Sequence, residues 1–384
     1  MKALYVGPLM DYSGYGEANR NAVAALDAAG VDMTIDIVNY TSEMSEFGKI
    51  GKLIIELKEK TGDSDVVIIH TTPDEYQRLM RPGKYHIGHF FWETSRIPKE
   101  FVEGLNLMNE VWTGSKANRQ AMQDSGVTVP IFIFPQAIDT SEEFPEPNEI
   151  PGMRKDSYLF YSIFEWTDRK NPQALLKAYL EEFQSGEDVN LLIKTYFRNF
   201  TLQNKRMIRN QVAKIKSEIA LEKYPPLFLY LELMDKRQIA RVHSTGDCFV
   251  SAHRGEGWGV PQVEAALAGN PIISTNYGGC HEYFTDGENA MLTENKMVSL
   301  TGMDHAKHWY TPDQKWADVD VSDLRKRLRW SFENRTKGAV TMGNKAQELV
   351  KERFSLKTVG KAMADRLTLI KEDQRNGNAK QDVD

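Results

Sequence analysis

Two glutamates, Glu256 and Glu264, stand eight positions apart in residues 251–284 (SAHRGEGWGVPQVEAALAGNPIISTNYGGCHEYF), with Gly257, Trp258 and Gly259 between them and Pro261 placed to open a helix. A strand ending near 252 would feed a glycine-permitted loop whose bare amides can approach a ligand. The helix that follows would turn its positive N-terminus, beginning with Val260, toward phosphate or sugar oxygens. Glu256 then stands at the mouth of the loop and Glu264 about one turn inside the helix, so the two carboxylates can accept hydrogen bonds from different hydroxyls of one ligand. Taken alone, two glutamates at this spacing are ordinary helix-surface residues. The glycines, the aromatic and the proline around them are what make the pattern a binding loop.

Cations that could hold an anionic ligand stand elsewhere. Arg169 and Lys170 follow a strand-like run at 158–163, and Lys194 sits in Ile193-Lys194-Thr195, another strand-like run. Fixed cations could stabilise negative charge on such a ligand. Near the start of the chain, Ser13-Gly14-Tyr15-Gly16-Glu17 follows the first apolar run, and His89 lies just before Phe91-Trp92-Glu93-Thr94. Metal chemistry has little footing. Asp63-Ser64-Asp65 and Asp318-Val319-Asp320 are Asp-x-Asp patterns best explained by chance, and His70, His89, His253 and His281 lack ligand spacing. No metal site is expected. Cys248 and Cys280 are too few for a disulfide framework and read as reduced thiols.

Elements must position these residues. The chain has 384 residues, 41% hydrophobic and 27% charged, which suits two globular domains and excludes collagen-like, mucin-like or wholly disordered classes. No apolar run reaches membrane-spanning length, and the opening residues are too short an apolar stretch for a secretory signal, so the expectation is a cytoplasmic chain. Apolar runs at 2–6, 33–38, 65–70, 85–91, 110–113 and 131–134 alternate with helical patterns. So do runs at 158–163, 189–195, 226–231, 247–252 and 271–274, and this rhythm predicts two parallel sheets with crossover helices. Prolines 135, 145, 147 and 151 amid acidic residues mark a linker. The expected domains are 1–150 and 151–354, with a helix at 355–370 and a disordered tail at 371–384. Ligands of such sheets sit beyond the strands' carboxyl ends, in the cleft between domains. Charge is uneven. Residues 1–150 carry 13 Lys+Arg against 23 Asp+Glu, whereas residues 194–223 hold eight basic residues and two acidic ones.

The segment from Glu256 to Glu282, with its two glutamates, Gly-aromatic-Gly, Glu-Ala-Ala-Leu-Ala-Gly and Gly278-Gly279, resembles the donor site of the retaining glycosyltransferases of family 4, and members encoded by tailed phages in particular. Residues 13–17, 91–94, 110–115 and 135–139, and the helix opened by Ser355, are similar to further parts of that family. The resemblance implies a GT-B fold, α/β with two facing Rossmann-like domains and a C-terminal helix returning to the first. It implies a nucleotide-diphosphate sugar as donor substrate and no obligatory cofactor. Glu264 would hold the ribose, and Glu256 with the amides of Gly257, Trp258, Gly259 and Val260 the donor sugar. Gly14 and Gly16 would approach the donor phosphate. Lys170 matches the family's diphosphate lysine. The usual arginine position is filled by Ile163 or Phe164, so either Arg169 or Lys194 supplies the second cation. Tyr15, Glu17, His89, Trp92 and Glu93 fall on the acceptor side.

The implied reaction moves a sugar to a hydroxyl with retention. No pair of carboxylates suits a glycosidase-like double displacement, so a front-face route is expected, in which the departing phosphate oxygen takes the acceptor proton. The acceptor reading divides between a glycan-type hydroxyl, which is preferred, and a hydroxymethylated pyrimidine in DNA, flipped out of its helix and with its backbone tracked by the basic run. In the phage case the compartment would be the host cytoplasm. A nucleotide-sugar-binding protein without catalysis is the non-enzyme reading. Oligomeric state is not legible.

Overall fold

The computed structural model describes residues 2–11, 13–38, 48–141, 143–154, 156–303 and 306–381, with the side chains of 377–381 left aside. The chain divides into two compact units. The first comprises Met1–Trp92, Arg96–Ser141 and Lys351–Asp384, and the second Glu93–Ser95 and Glu142–Val350.

In the first unit, strands β1 (Ala3–Gly7), β2 (Met33–Ile37), β3 (Val66–Ile69), β4 (Tyr85–His89), β5 (Glu110–Thr113) and β6 (Ile131–Ile133) form one sheet in the order β2-β1-β3-β4-β5-β6, all parallel. Runs such as Val66-Val67-Ile68-Ile69 are buried on both faces, as a helix-covered parallel sheet requires. The helices are α1 (Gly14–Ala28), α2 (Gly48–Glu59), the single turn α3 (Tyr76–Leu79), α4 (Lys99–Asn106) and α5 (Lys116–Ser125).

The second unit repeats the plan with β7 (Tyr158–Glu165), β8 (Val189–Tyr196), β9 (Leu227–Tyr230), β10 (Cys248–Ser251), β11 (Ile272–Thr275) and β12 (Met291–Thr293), ordered β12-β11-β10-β7-β8-β9 and again parallel. Its helices are α6 (Pro172–Glu182), α7 (Leu202–Ile219), α8 (Lys236–Thr245), α9 (Val260–Leu267), α10 (Val321–Glu333) and α11 (Gly338–Arg353), the last ending in the first unit. An antiparallel hairpin, β13 (Asn295–Ser299) and β14 (Lys315–Val319), stands apart from the six-stranded sheet. Strand order reverses between β7 and β10. Such a switch point leaves a crevice at the strands' carboxyl ends.

Two boundaries differ from expectation. The second unit begins at 142 rather than 151, because the proline-rich segment is tied down: the Asn148 amide donates to Thr245 Oγ1 at 3.1 Å, the Phe144 ring lies 6.5 Å from that of His243, and Ile150 is buried. The last helix, α12 (Leu356–Gln381), runs on past 370 through most of the stretch expected to be a disordered tail; 382–384 lie outside the described residues. Residues 371–381 are polar yet rich in Lys, Glu, Gln and Arg, which lose little freedom in a helix. α12 packs on α1 so closely that a Cβ on Gly360 would stand 1.9 Å from the Ala25 carbonyl oxygen.

Candidate active site

The crevice at the β7/β10 switch point is lined by Ser162, Ile163 and Phe164 of β7, Lys170, Ser251 and Ala252 at the end of β10, and Glu256. Two loops build it. After β7 a short helical turn carries Asp168, Arg169 and Lys170. Asn171, with φ of 52°, then caps α6, and Pro172 fixes that helix's first residue. After β10 the chain runs through 252–259 until Gly259, with φ of 96°, lets it turn into α9.

The loops are laced together. The Arg254 amide donates to the Arg169 carbonyl at 2.7 Å, and Arg169 Nη1 donates to the Gly255 carbonyl at 2.9 Å. Arg254 Nη1 donates to the Asp168 carbonyl at 3.0 Å, while its Nε meets Asp318 Oδ1 at 3.0 Å. Lys170 Nζ and Glu256 Oε2 form an ion pair at the centre, each side chain only 14% exposed. Burial pushes the Glu256 carboxyl up, but the Lys170 ammonium and the Arg169 guanidinium outweigh it and hold the group at about 2. Burial lowers the lysine while Glu256 opposes that. The pair is therefore ionised at neutral pH.

Glycines are required where backbone meets backbone. A Cβ on Gly278, whose φ is 88°, would stand 2.4 Å from the Glu256 carbonyl oxygen, and one on Gly279 would stand 2.3 Å from that of Gly257. The Gly279 amide donates to the Glu256 carbonyl at 2.9 Å. The 278–279 turn is thus the floor on which the 256–259 loop lies. Trp258 is buried beside Tyr283, whose hydroxyl donates to the Trp258 carbonyl.

Glu264 projects from α9 and is 20% exposed, with Oε2 at 3.4 Å from His243 Nε2. Asn270 Nδ2 donates to Tyr161 Oη at 2.7 Å, and that hydroxyl lies 2.9 Å from His243 Nδ1. His253 is neutral. Its Nε2 lies 3.0 Å from the Tyr277 carbonyl and must donate, its Nδ1 accepts from Ser251 Oγ at 2.9 Å, and burial lowers its pKa to about 4. Neither His243 nor His253 was expected here. Ser251 and His253, two apart on an extended chain and so on one face, are a legible pair, whereas nothing marks His243 in advance.

Glu93, expected on the acceptor side, lies instead with these loops. Its Oε1 is 3.6 Å from Arg169 Nη2 and its Oε2 accepts from Tyr310 Oη at 3.1 Å. Tyr310, in the irregular connection between β13 and β14, carries no sequence mark. Arg169 is committed to Glu93 and the Gly255 carbonyl. Lys194 is buried in β8 with Nζ 5.1 Å from the Phe200 ring centroid.

The remaining candidates lie in the first unit. Gly14 and Gly16 form no open loop; they are in the first turn of α1, capped by Ser13 Oγ accepting from the Gly16 amide at 3.1 Å. A Cβ on Gly16 would stand 2.1 Å from the Asp11 carbonyl oxygen, so packing requires that glycine, while Gly14 faces open space. Glu17 pairs with Arg20 at 2.8 Å, and Tyr15 Oη is 3.4 Å from the Phe91 carbonyl. Trp92 is buried and donates to the Arg96 carbonyl at 2.7 Å. His89 is buried against His70, ring centroids 4.0 Å apart, and neither of its nitrogens has a hydrogen-bond partner among the described residues. Burial lowers His89 to about 3.

Among the described residues no cluster of His, Cys, Asp and Glu could hold a metal ion. Asp318 is engaged by Arg254, Asp63 by Lys84, and Asp320 caps α10. No described helix is long and apolar enough to cross a membrane.

Residues 143–300, all within the second unit, match the family model of the glycosyl transferases group 1. Among curated proteins none matches the chain in sequence. Solved structures are similar across nearly the whole chain, among them the following three. HepE of Anabaena, solved with UDP and glucose, is 14% identical with a TM-score of 0.65, over 96% of this chain and 99% of its own. Sucrose-phosphate synthase from Thermosynechococcus elongatus is 12% identical with a TM-score of 0.68, over 97% and 100%. A glycosyltransferase from Rickettsia africae is 16% identical with a TM-score of 0.66, over 98% and 99%. The chain therefore has the α/β fold of the GT-B glycosyltransferases, two parallel six-stranded sheets with their helices, and the group 1 match falls on the unit that holds the Lys170–Glu256 pair.

Proposed function

We propose that this chain is a retaining glycosyltransferase that moves a sugar from a nucleotide-diphosphate donor to a hydroxyl acceptor of glycan type. The observation that carries the reading is the ionised Lys170–Glu256 pair at the β7/β10 switch point, with glycine-spaced amides beside it. The second unit binds the donor and the first serves the acceptor. Lys170 faces the diphosphate. Glu256, through the oxygen not paired with lysine, and the 257–260 amides hold the sugar; Glu264, oriented by His243, holds the ribose hydroxyls. Arg169 keeps the Glu256 loop in place, since its guanidinium is spent on Glu93 and the Gly255 carbonyl. Departure of the nucleotide leaves a phosphate oxygen on the face the acceptor attacks. That oxygen takes the acceptor proton, the new glycosidic bond forms on the same face, and Lys170 offsets the charge released. We place the reaction in the cytoplasm, where nucleotide sugars are available.

The exposed basic residues Arg206 and Arg209 of α7 favour a second acceptor, a hydroxymethylpyrimidine in DNA, as in phage genome modification. One assay separates the readings. Nucleotide sugars are offered with simple glycans and with hydroxymethylcytosine and hydroxymethyluracil DNA, and products are weighed by mass spectrometry. Transfer to a glycan with the anomeric configuration retained is the expected result. A mass gain on DNA would move the acceptor to the second reading. Nucleotide-sugar binding with no turnover on any acceptor would make the chain a binding protein and overturn the proposal.

A further inference from the structure

The hairpin β13–β14 pairs with neither six-stranded sheet, yet it touches both loops of the β7/β10 crevice. A small core of its own lets it stand apart: Leu300, Met303 and Trp316 are buried together, with Val298 and Tyr310 packed against them. From there β14 meets the Glu256 loop backbone to backbone, the Ala317 amide donating to the Arg254 carbonyl at 2.8 Å. The Arg254 side chain returns across β14, its guanidinium 5.5 Å from the Trp316 ring centroid and its Nε 3.0 Å from Asp318 Oδ1. Through Nη1 it also donates to the Asp168 carbonyl at 3.0 Å, so one side chain joins the hairpin, the Glu256 loop and the turn that carries Lys170. That turn is touched from the hairpin a second time. Asp168 lies so near Gly302 that a Cβ there would stand 2.3 Å from Oδ2.

Tyr310 reaches the same loops by another route. While its ring packs in the hairpin core, its hydroxyl donates to Glu93 Oε2 at 3.1 Å, and Glu93 Oε1 faces Arg169 Nη2 at 3.6 Å. Arg169 Nη1 in turn holds the carbonyl of Gly255, the residue before Glu256, at 2.9 Å. Glu93 is fixed in place because the two residues after it are bonded to the start of β14. Thr94 Oγ1 donates to Gln314 Oε1, and the Ser95 amide to the Lys315 carbonyl at 2.9 Å. A hydroxyl, a carboxylate and a guanidinium thus stand in line between the hairpin and the peptide that carries Glu256. None of Tyr310, Glu93, Arg169 and Arg254 lines the crevice, so they act on a ligand there only through the loops they hold.

We propose that the hairpin is a brace that sets where the Glu256 loop stands, with Tyr310 and Arg254 as positioning residues for sugar transfer. Tyr310 acts through the Glu93–Arg169 pair, and Arg254 through the Asp168 turn and the backbone of its own loop. The proposal rests on the transferase reading. A group displaced by about 1 Å can lose on the order of 100-fold in rate, so a brace that never meets the ligand still governs turnover. Affinity for the nucleotide part is spared, because Glu264 stands beside His243 on α9, outside this line of contacts.

Tyr310→Phe tests this, because it removes the hydroxyl and leaves the ring in the hairpin core. The full chain is compared with Tyr310→Phe, Glu93→Gln and the double variant in steady-state transfer, calorimetric UDP binding and thermal melts. Tyr310→Phe is expected to lower kcat by at least about tenfold, with UDP affinity within about twofold of wild type and the melting temperature within about 2 °C. In the Glu93→Gln background the same change should cost nothing further, since both act through one line of contacts. A kcat within about twofold of wild type would overturn the proposal. So would an equal loss in the Glu93→Gln background, or a kcat loss accompanied by a lower melting temperature or weaker UDP binding, since the tyrosine would then be supporting the fold or the nucleotide pocket. Should the wild type transfer no sugar to any acceptor, the transferase reading fails, and amide hydrogen exchange decides the brace by itself. Faster exchange in 254–260 of Tyr310→Phe, with β7 and β8 unchanged, would uphold it, and unchanged exchange in 254–260 would overturn it.

Discussion

At the scale of single residues, the proposed role of the Lys170–Glu256 pair ties stability to turnover. Removing one partner leaves the other charge half-buried and alone, so Glu256→Gln should cost about 1–3 kcal/mol of stability and lower turnover by roughly 100-fold, in line with loss of one transition-state contact. Lys170→Met in the same chain should restore part of the lost stability and none of the turnover; denaturant melts and steady-state rates of the four proteins in the double-mutant cycle measure both. A stability loss for the double variant equal to the sum of the two single losses would mean that the pair is not coupled. The sequence singled out Glu256 and Glu264 through the glycines, proline and helix signals around them, and Lys170 through its place after a strand-like run and the family resemblance. It did not show that Arg169 faces Glu93, 76 positions away, because tertiary contact between two loops leaves no local pattern. Nor did the order of residues reveal that Gly14 and Gly16 start a helix: the serine cap at Ser13 marks a helix start, yet two glycines within three residues read as a loop.

At the scale of elements, the 278–279 turn supports the 256–259 loop through backbone contacts that leave no room for a side chain. Gly279→Ala would bring a Cβ to 2.3 Å from one carbonyl oxygen and 2.6 Å from the Trp258 Cα, neither of which can swing aside. The expected outcome is a loss of about 1–3 kcal/mol in stability and weaker nucleotide-sugar binding, whereas Gly14→Ala, with open space around it, should be close to neutral in stability. Calorimetric binding and thermal melts of both variants check the contrast. The eleven expected strands all exist, each within a residue or two, because their apolar runs are bounded by turn residues. β12 was missed at three residues, and so were β13 and β14, where Asn295, Lys296, Lys315 and Asp318 break the apolar alternation that marks a strand.

At the scale of the whole molecule, burial of neutral imidazoles sets the response to acid. His253 and His89 are held at about 4 and about 3, and His70 well below its ordinary value, in each case by burial first. Between the ordinary value near 6.5 and these lowered ones, the unfolded chain binds protons that the folded chain refuses. Stability is therefore full above about pH 6.5 and falls as the pH drops through that window, with a limiting slope of about 4 kcal/mol per pH unit for three such groups. The melting temperature should fall steeply from pH 7 to pH 5, and a flat profile over that range would show that these rings are protonated in the fold. Two α/β units and their sheet directions were legible from the alternation of runs. The unit boundary was not, because the proline-rich segment looks like a free linker until Asn148 and Phe144 are seen packed against α8 and its surroundings.

The path of the chain through Glu93–Ser95 has a consequence for anyone who would divide this protein. Trp92 and Arg96 belong to the first unit, while the three residues between them belong to the second, where Glu93 faces Arg169, Thr94 Oγ1 donates to Gln314 Oε1 at 2.8 Å, and Ser95 exchanges backbone and hydroxyl bonds with Lys315. A fragment starting at 142 would contain every residue of the β7/β10 crevice and still lack the carboxylate opposite Arg169. Its guanidinium would be left buried against an empty place, and the loop that carries Gly255 and Glu256 would lose the neighbour it is shaped around. Two compact units here do not amount to two separable genes: the second unit is completed by a tripeptide encoded in the middle of the first.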